Sequence, residues 1–273
     1  MPVCTIRDIP VHYEIHGEGR PLLAIHGWGV DHHLMKGCME PFFARQADGW
    51  QRIYLDLPGM GQTPGKPWID GSDAMLEVVT GVIDQLLPGQ NFSLAGESYG
   101  GYLARGLVAK MAGRIDGLLL LCPLADPDTR VDNAPQPIAL ERDPALLDSL
   151  APTDRDAFGY VGVRQTRDYV LPGIRLADQD FLANSLGQKV PFGFPIDAMD
   201  APFTQPALIL TGRQDCMVGY KDQWKFLEAY PRASFVVLDK AGHALESEQA
   251  GLFRALLGEW LERVEAERPT TAT

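Results

Sequence analysis

Residues 92–111 read FSLAGESYGGYLARGLVAKM. This stretch decides the fold. Residues 92–96 (FSLAG) form a short apolar run of strand character, and residues 102–111 (YLARGLVAKM) carry a helical pattern. Between them lies Gly96-Glu97-Ser98-Tyr99-Gly100, a G-x-S-x-G turn. A sharp strand-to-helix turn holds the serine in a strained backbone and lifts its hydroxyl clear of the sheet. Glycines two before and two after the serine let neighbouring backbone approach closely. The Tyr99 N–H is left at a helix start, where the peptide dipoles favour negative charge. The strand and helix on either side set this motif apart from a chance match in a glycine-rich chain.

Working outward, runs at 21–26 (PLLAIH), 52–57 (RIYLDL), 117–122 (GLLLLC), 207–211 (ALILT) and 234–238 (SFVVL) share the character of 92–96. Strands covered on both faces look like this, because neither face can be polar. Residues 4–7 and 11–15 read as an antiparallel hairpin about Asp8-Ile9-Pro10. Helical patterns at 73–87, 102–111 and 249–264 alternate with the strands. The alternation predicts an α/β fold: a mostly parallel twisted sheet with helices on both faces.

The pattern fails at 126–200, which holds eight of the chain's 21 prolines and no long strand. Structureless loops of that length are rare inside a compact domain. The expectation is a core of 1–125 and 201–273 with a helical cap inserted at 126–200, its short helices at 144–150 and 153–160. Residues 268–273 read as a frayed tail. The length of 273 residues suits this plan, one large domain with an insertion.

Charge narrows the function classes. Lys and Arg number 24 against 36 Asp and Glu, a net charge of −12. A nucleic-acid surface needs the opposite sign, as does an anionic membrane. No run approaches the ~20 apolar residues of a membrane helix, and the N-terminus lacks a basic start followed by an apolar stretch. Cys4, Cys38, Cys122 and Cys216 are scattered without a C-x-x-C pair, so a cytoplasmic protein with four buried thiols is expected, without disulfide or metal. No Gly-rich dinucleotide or phosphate loop is present, and no cofactor is expected. His32-His33 has no H-E-x-x-H or cysteine partner and reads as a solvated helix start.

A serine hydroxyl is a weak nucleophile until a base takes its proton, and the base is usually a histidine oriented by a carboxylate. At a turn of this type the partners follow in the order serine, acid, histidine. Of the six histidines only His243 follows Ser98. The acid should follow a strand. Asp215, after ALILT, is favoured; Asp126, after LLLLCPLA, is the competitor. The oxyanion of acyl transfer needs preorganised donors. The Tyr99 N–H is one, and the Trp28 N–H, in the loop after PLLAI, is assigned as the other. His26 is then a structural residue of that loop.

Five motifs stand in order: HGWG at 26–29, DLPGMG at 56–61, GESYGG at 96–101, TGRQD at 211–215 and GH at 242–243, with Glu248 shortly after. Through them the chain resembles the α/β-hydrolase fold family, of the smaller type with a helical cap. Two positions depart from the family pattern. Glu97 stands where relatives more often have His, Asn or a small residue, and Thr63 where serine is commoner. The resemblance implies a serine hydrolase on a small or medium, largely uncharged carboxylic ester, acting through Ser98, Asp215 and His243. An aminopeptidase, lactonase or carbon–carbon bond hydrolase would share the triad. From another class, a ligand-binding or receptor-like module would keep the fold without turnover. The cap carries 13 acidic and seven basic residues, which disfavours polyanionic substrates. Its aromatics, Phe158, Tyr160, Tyr169, Phe181, Phe192 and Phe194, either line an apolar pocket or form the cap's own small core.

Overall fold

Eight segments rich in residues that tolerate burial on both faces join into one sheet. They are β1 (Val3–Ile6), β2 (Ile9–His16), β3 (Arg20–Ile25), β4 (Trp50–Leu55), β5 (Phe92–Glu97), β6 (Ile115–Leu121), β7 (Ala207–Gly212) and β8 (Ala233–Leu238). The computed structural model describes residues 2–46, 49–128, 134–136, 138, 144–149 and 168–267. The strand order is β1-β2-β4-β3-β5-β6-β7-β8. β1 and β2 form the expected antiparallel hairpin, β2 runs antiparallel to β4, and the remaining neighbours are parallel. The α/β fold read from the sequence is the fold observed. Every residue of β5 and of β7 is buried, as their unbroken apolar character requires.

β3 pairs with β4 on one side and with β5 on the other. Winding therefore reverses between β3 and β5, and a crevice opens at their carboxyl ends, where such sheets place their sites. The loop after β3 carries Trp28, and the turn after β5 carries Ser98.

The connecting helices are α1 (His33–Gln46), α2 (Ser72–Leu86) and α3 (Tyr99–Met111), with a short 3-10 turn before β6. α1 is foreshadowed only by its start at His32-His33. Its apolar residues come as adjacent pairs, Leu34-Met35, Cys38-Met39 and Phe42-Phe43, all buried, and Pro41 interrupts it. α2 buries Met75, Val78, Val79, Val82 and Ile83 along the face that the sequence spacing marked.

Between β6 and β7 lie α4 (Pro144–Ser149), α5 (Leu171–Leu176), α6 (Gln179–Asn184) and a 3-10 turn at Leu186–Lys189; among the described residues there is no strand here. The helix expected at 153–160, the aromatics Phe158 and Tyr160, and the 268–273 tail lie outside the described residues. After β8 come the short α7 (Leu245–Glu248) and the long α8 (Ala250–Ala266), whose Trp260 is fully buried and donates to the Pro206 carbonyl at 3.1 Å.

The segment between β6 and β7 is tied to the core by packing and charge. Phe181 rests on Gly59 and Gly65, where any Cβ would overlap its ring, and Tyr169 rests on Gly37 in the same way. Phe192 stacks on Tyr102 of α3 with ring centroids 4.6 Å apart. Arg105, buried on α3, donates to both carboxylate oxygens of Asp197 and, at 2.9 Å, to the Leu124 and Ala125 carbonyls. A buried guanidinium is tolerated only when so many of its donors are matched.

Candidate active site

The turn after β5 is as strained as its motif requires. Ser98 has φ 51° and ψ −115°, a conformation that costs a non-glycine residue about 1–3 kcal/mol. Three hydrogen bonds fix it: the Ser98 N–H donates to the Leu121 carbonyl at 2.9 Å, and the Ser98 carbonyl accepts from Leu124 at 3.0 Å and from Tyr102 at 3.1 Å. The glycines are needed for close approach. A Cβ at Gly96 would overlap the Gly100 carbonyl, and one at Gly100 would overlap the carbonyls of Ile25 and His26.

His243, on the loop after β8, reaches this serine. Its Nε2 lies 3.0 Å from Ser98 Oγ, and its Nδ1 lies 2.8 Å from Asp215 Oδ2. Asp215 is fully buried on the loop after β7, and its Oδ1 accepts from the N–H groups of Met217 (2.8 Å) and Val218 (3.1 Å). These bonds aim the second oxygen at the ring. The competing acid, Asp126, accepts from the Asp128 N–H within its own loop. The structure thus brings together Ser98, His243 and Asp215, three residues far apart in sequence, in hydrogen-bonding order.

The two residues assigned as oxyanion donors, Trp28 and Tyr99, line the same cavity as Ser98. Tyr99 opens α3, so its N–H is one of the amides a helix start leaves without an intrahelical partner. Trp28 packs edge-to-face on the Tyr99 ring with centroids 5.2 Å apart, which joins the two donor segments. A Cβ on neighbouring Gly27 would come within 3.0 Å of Ser98 Cβ, so only glycine lets this loop close on the serine.

The acids around His243 include several the sequence reading did not place. Glu97 Oε1 lies 3.3 Å from His243 Nε2. Glu246 is buried nearby, and the half-buried Glu248 accepts from the Gly242 N–H. Burial pushes the Glu97 carboxyl up to about 8, against the pull of His243, and raises Glu246 to about 7. For His243 burial works downward, but Asp215 and then Glu97 outweigh it and the ring rises to about 9. Glu97 and Glu248 are visible in the motifs; only the fold shows that they converge on one ring.

Two expectations about histidines separate here. His26 is structural, as expected: its Nε2 accepts from the Leu57 N–H at 3.0 Å and stitches the loop after β3 to the loop after β4. His32 is not solvated. It is buried, with Nδ1 2.8 Å from Asp56 Oδ1 and Nε2 3.2 Å from Glu14 Oε1. Asp56 creates the difference, because its buried carboxylate needs cationic or N–H partners. It also takes His12 and the Gln62 N–H. His12, His32 and Asp56 have the spacing of a metal cluster. Both rings already aim Nδ1 at the carboxylate, so an ion there would have to break that network.

A cavity of about 640 Å³ opens over Ser98. Val170, Ile174, Leu182 and Val190 line it from the 126–200 segment, and Val30, Leu34, Leu124 and Met217 from the core. Among the described lining residues the ionisable side chains, beyond the Tyr99 phenol, are Glu97 and His243. The described aromatics of the segment neither line this cavity nor form a core of their own; Tyr169, Phe181 and Phe192 pack down on glycines and on α3 instead. Aliphatic side chains dominate the lining, with Trp28, Tyr99 and Gln179 among them.

A serine, histidine and carboxylate at the carboxyl ends of a doubly wound parallel sheet define a hydrolase fold. Residues 22–256 match the model of the alpha/beta hydrolase family, and the chain belongs to that family. It is 22% identical over 260 residues to the pimeloyl-[acyl-carrier protein] methyl ester esterase of Legionella pneumophila strain Paris, covering 92% of this chain and 99% of that one. It is 26% identical to the AB hydrolase superfamily protein YisY of Bacillus subtilis, over 94% of this chain and 97% of that one. The crystal structure of an alpha/beta superfamily hydrolase from Oenococcus oeni PSU-1 superposes with a TM-score of 0.81 at 27% identity, over 93% of this chain and 96% of that one.

Proposed function

We propose that the chain is a serine esterase cleaving small or medium, largely uncharged carboxylic esters. Ser98 is the nucleophile, His243 the base and Asp215 the acid. The continuous hydrogen-bond line Ser98–His243–Asp215, at 3.0 and 2.8 Å, is the observation that carries this reading. His243 Nε2 takes the hydroxyl proton as Ser98 Oγ attacks the ester carbonyl. Asp215 holds Nδ1–H and stabilises the imidazolium that forms. The N–H groups of Trp28 and Tyr99 receive the oxyanion; one such donor is worth about 3 kcal/mol. The imidazolium returns its proton to the departing alcohol. Water, deprotonated in turn by His243, then releases the acid.

Residues 126–200 act as the cap in this reading, supplying eight of the 20 residues that line the cavity. The mostly apolar lining supports a neutral acyl group. The ester cleavage named for the Legionella relative supports the bond type. The net charge of −12 weighs against docking of any acidic protein that carries an ester, and a free ester is the proposed substrate. Cys4, Cys38 and Cys122 are buried as expected, Cys216 is half-buried instead, and no disulfide joins the cysteines; among the described residues no helix is long and apolar enough to cross a membrane, and a cytoplasmic setting is the proposed one.

A panel of p-nitrophenyl esters, lactones and aminoacyl amides, run on the wild type and on Ser98→Ala, tests the proposal. Hydrolysis of short esters that vanishes in a folded Ser98→Ala variant is the expected result. Ester turnover undiminished in that variant would refute it.

A further inference from the structure

Glu97 is the ionisable side chain of the serine turn that the ester mechanism leaves unused. It is 3% exposed. Its carboxyl is wedged between two loops: the Gly27 N–H donates to it, and a Cβ at Gly27 would run into Oε2. Its Oε1 lies 3.3 Å from His243 Nε2, the same ring nitrogen that faces Ser98 Oγ at 3.0 Å. Asp215 occupies the other ring nitrogen at 2.8 Å. Two groups therefore converge on one nitrogen, and that nitrogen is the one that must accept the serine proton.

We propose that Glu97 is a second carboxyl partner of the His243 ring, one that competes with Ser98 at Nε2 and holds back the form of the ring able to activate the serine. The inference rests on the reading of Ser98 and His243 as nucleophile and base. Glu97 acts through His243 and is a positioning residue.

The protons balance as follows. With Glu97 a carboxylic acid and His243 neutral, Nδ1–H donates to Asp215 and Nε2 accepts from the Ser98 hydroxyl, so the serine is ready to attack. Transfer of the carboxyl proton to Nε2 leaves a carboxylate beside an imidazolium, with no change in the total number of protons. The Nε2 lone pair is then used, and Ser98 keeps its proton. Loss of the Nε2 proton to solvent as pH rises restores the base. A carboxylate on Nε2 thus keeps the ring protonated to higher pH than Asp215 alone would.

The remaining groups facing this ring are acids and a thiol. Glu246, on α7, has a buried Oε2 without a hydrogen-bond partner, and Glu248 is held by the Gly242 N–H. Burial raises both carboxyls, Glu246 to about 7 and Glu248 to about 8. Cys122, after β6, is a thiol beside this ring that burial pushes up, so it stays uncharged. The carboxylates paired with the ring nitrogens among the described residues are Asp215 and Glu97. The raised values of Glu97 and His243 agree with a proton shared between them.

Glu97→Gln tests this. The amide keeps the shape and the acceptor for the Gly27 N–H, and removes the negative charge and the mobile proton. Turnover of a neutral phenyl ester is followed as kcat/KM from about pH 5 to about pH 10, in the wild type and in the variant. The acid limb of the variant is expected to move to lower pH by about one unit or more, which makes it about tenfold faster than the wild type on that limb when each is scaled to its own plateau. Glu97→Asp, with its carboxyl drawn back by one methylene, is expected to fall between the two. A limb that superimposes on the wild type, whatever the plateau, would overturn the proposal, as would a limb moved to higher pH. Should Glu97→Gln not fold, the ¹⁵N resonances of His243 in the wild type decide. Both ring nitrogens protonated at about pH 7 is the expected result, and a neutral ring there overturns it. Fluorophosphonate labelling of Ser98 separates the two readings. Labelled Ser98 with an unmoved limb removes the role of Glu97 alone; an unlabelled wild type removes the parent reading.

Discussion

Asp215→Asn is the substitution whose effect the structure specifies most closely. Asp215 Oδ2 sits 2.8 Å from His243 Nδ1 and its Oδ1 accepts two backbone N–H groups. In the variant those N–H groups claim the amide oxygen, which turns the amide NH₂ toward Nδ1. The ring is then pushed into the tautomer with its proton on Nε2, facing Ser98, and the base is lost. The charge that stabilised the imidazolium is lost as well. Charge centres about 4 Å apart interact by about 4 kcal/mol at an effective dielectric of about 20. At 1.36 kcal/mol per decade, kcat/KM should fall about 10³-fold. The assay is hydrolysis of p-nitrophenyl acetate at about pH 8, with thermal unfolding followed alongside to show that the variant is folded. Asp126→Asn, whose carboxylate serves its own loop, should stay within about twofold of the wild type, since surface changes away from the chemistry have small effects. A folded Asp215→Asn protein within tenfold of the wild type would refute the reasoning. A larger loss in Asp126→Asn would move the acid to the loop after β6.

Three further outcomes follow from the packing. Gly100→Ala drives a Cβ into the carbonyls of Ile25 and His26, backbone that cannot give way, and should lower unfolding stability by about 2–3 kcal/mol; an unchanged urea midpoint would contradict the close approach. Asp56 is held well below the usual carboxylate range: burial pushes it up, but His32 and the neighbouring donors outweigh that. With a depressed folded value, its stabilisation is present above about pH 4 and is lost as pH falls through that value, so Asp56→Asn should cost about 3 kcal/mol at neutral pH and progressively less in acid. A deficit that grew on acidification would reverse the sign of this account. Leu182→Trp narrows the aliphatic wall of the cavity and should lower kcat/KM for octanoyl esters at least tenfold while leaving acetyl esters nearly unchanged; equal losses for both would place the acyl group elsewhere.

Strands and site were legible for different reasons. β6 was plain because residues 118–121 are four leucines, the unbroken apolar run of a strand buried on both faces. The convergence of Ser98, Asp215 and His243 was legible because one histidine follows the serine and because strands fix where loops end. α1 was harder to read: its buried residues come in adjacent pairs around Pro41, which blurs the helical period. His32 looked solvated because its partner, Asp56, is 24 residues away and is brought in only when β4 pairs with β3. The aromatics of the 126–200 segment were read as a pocket lining or a local core. They pack on glycines and on α3, contacts between parts of the chain that no local pattern encodes. Glu97 stood out as unusual in its motif. Its meaning depends on a 3.3 Å approach to a histidine 146 positions on, which only the folded sheet creates.

The central claim is that Ser98 is an activated nucleophile. Intact-mass analysis of the protein after exposure to a fluorophosphonate, followed by peptide mapping, tests it directly. A single covalent adduct, mapped to Ser98, formed rapidly by the wild type and absent in His243→Ala over the same time, is the expected result. An unmodified wild type, or an adduct on another residue with Ser98 untouched, would contradict it.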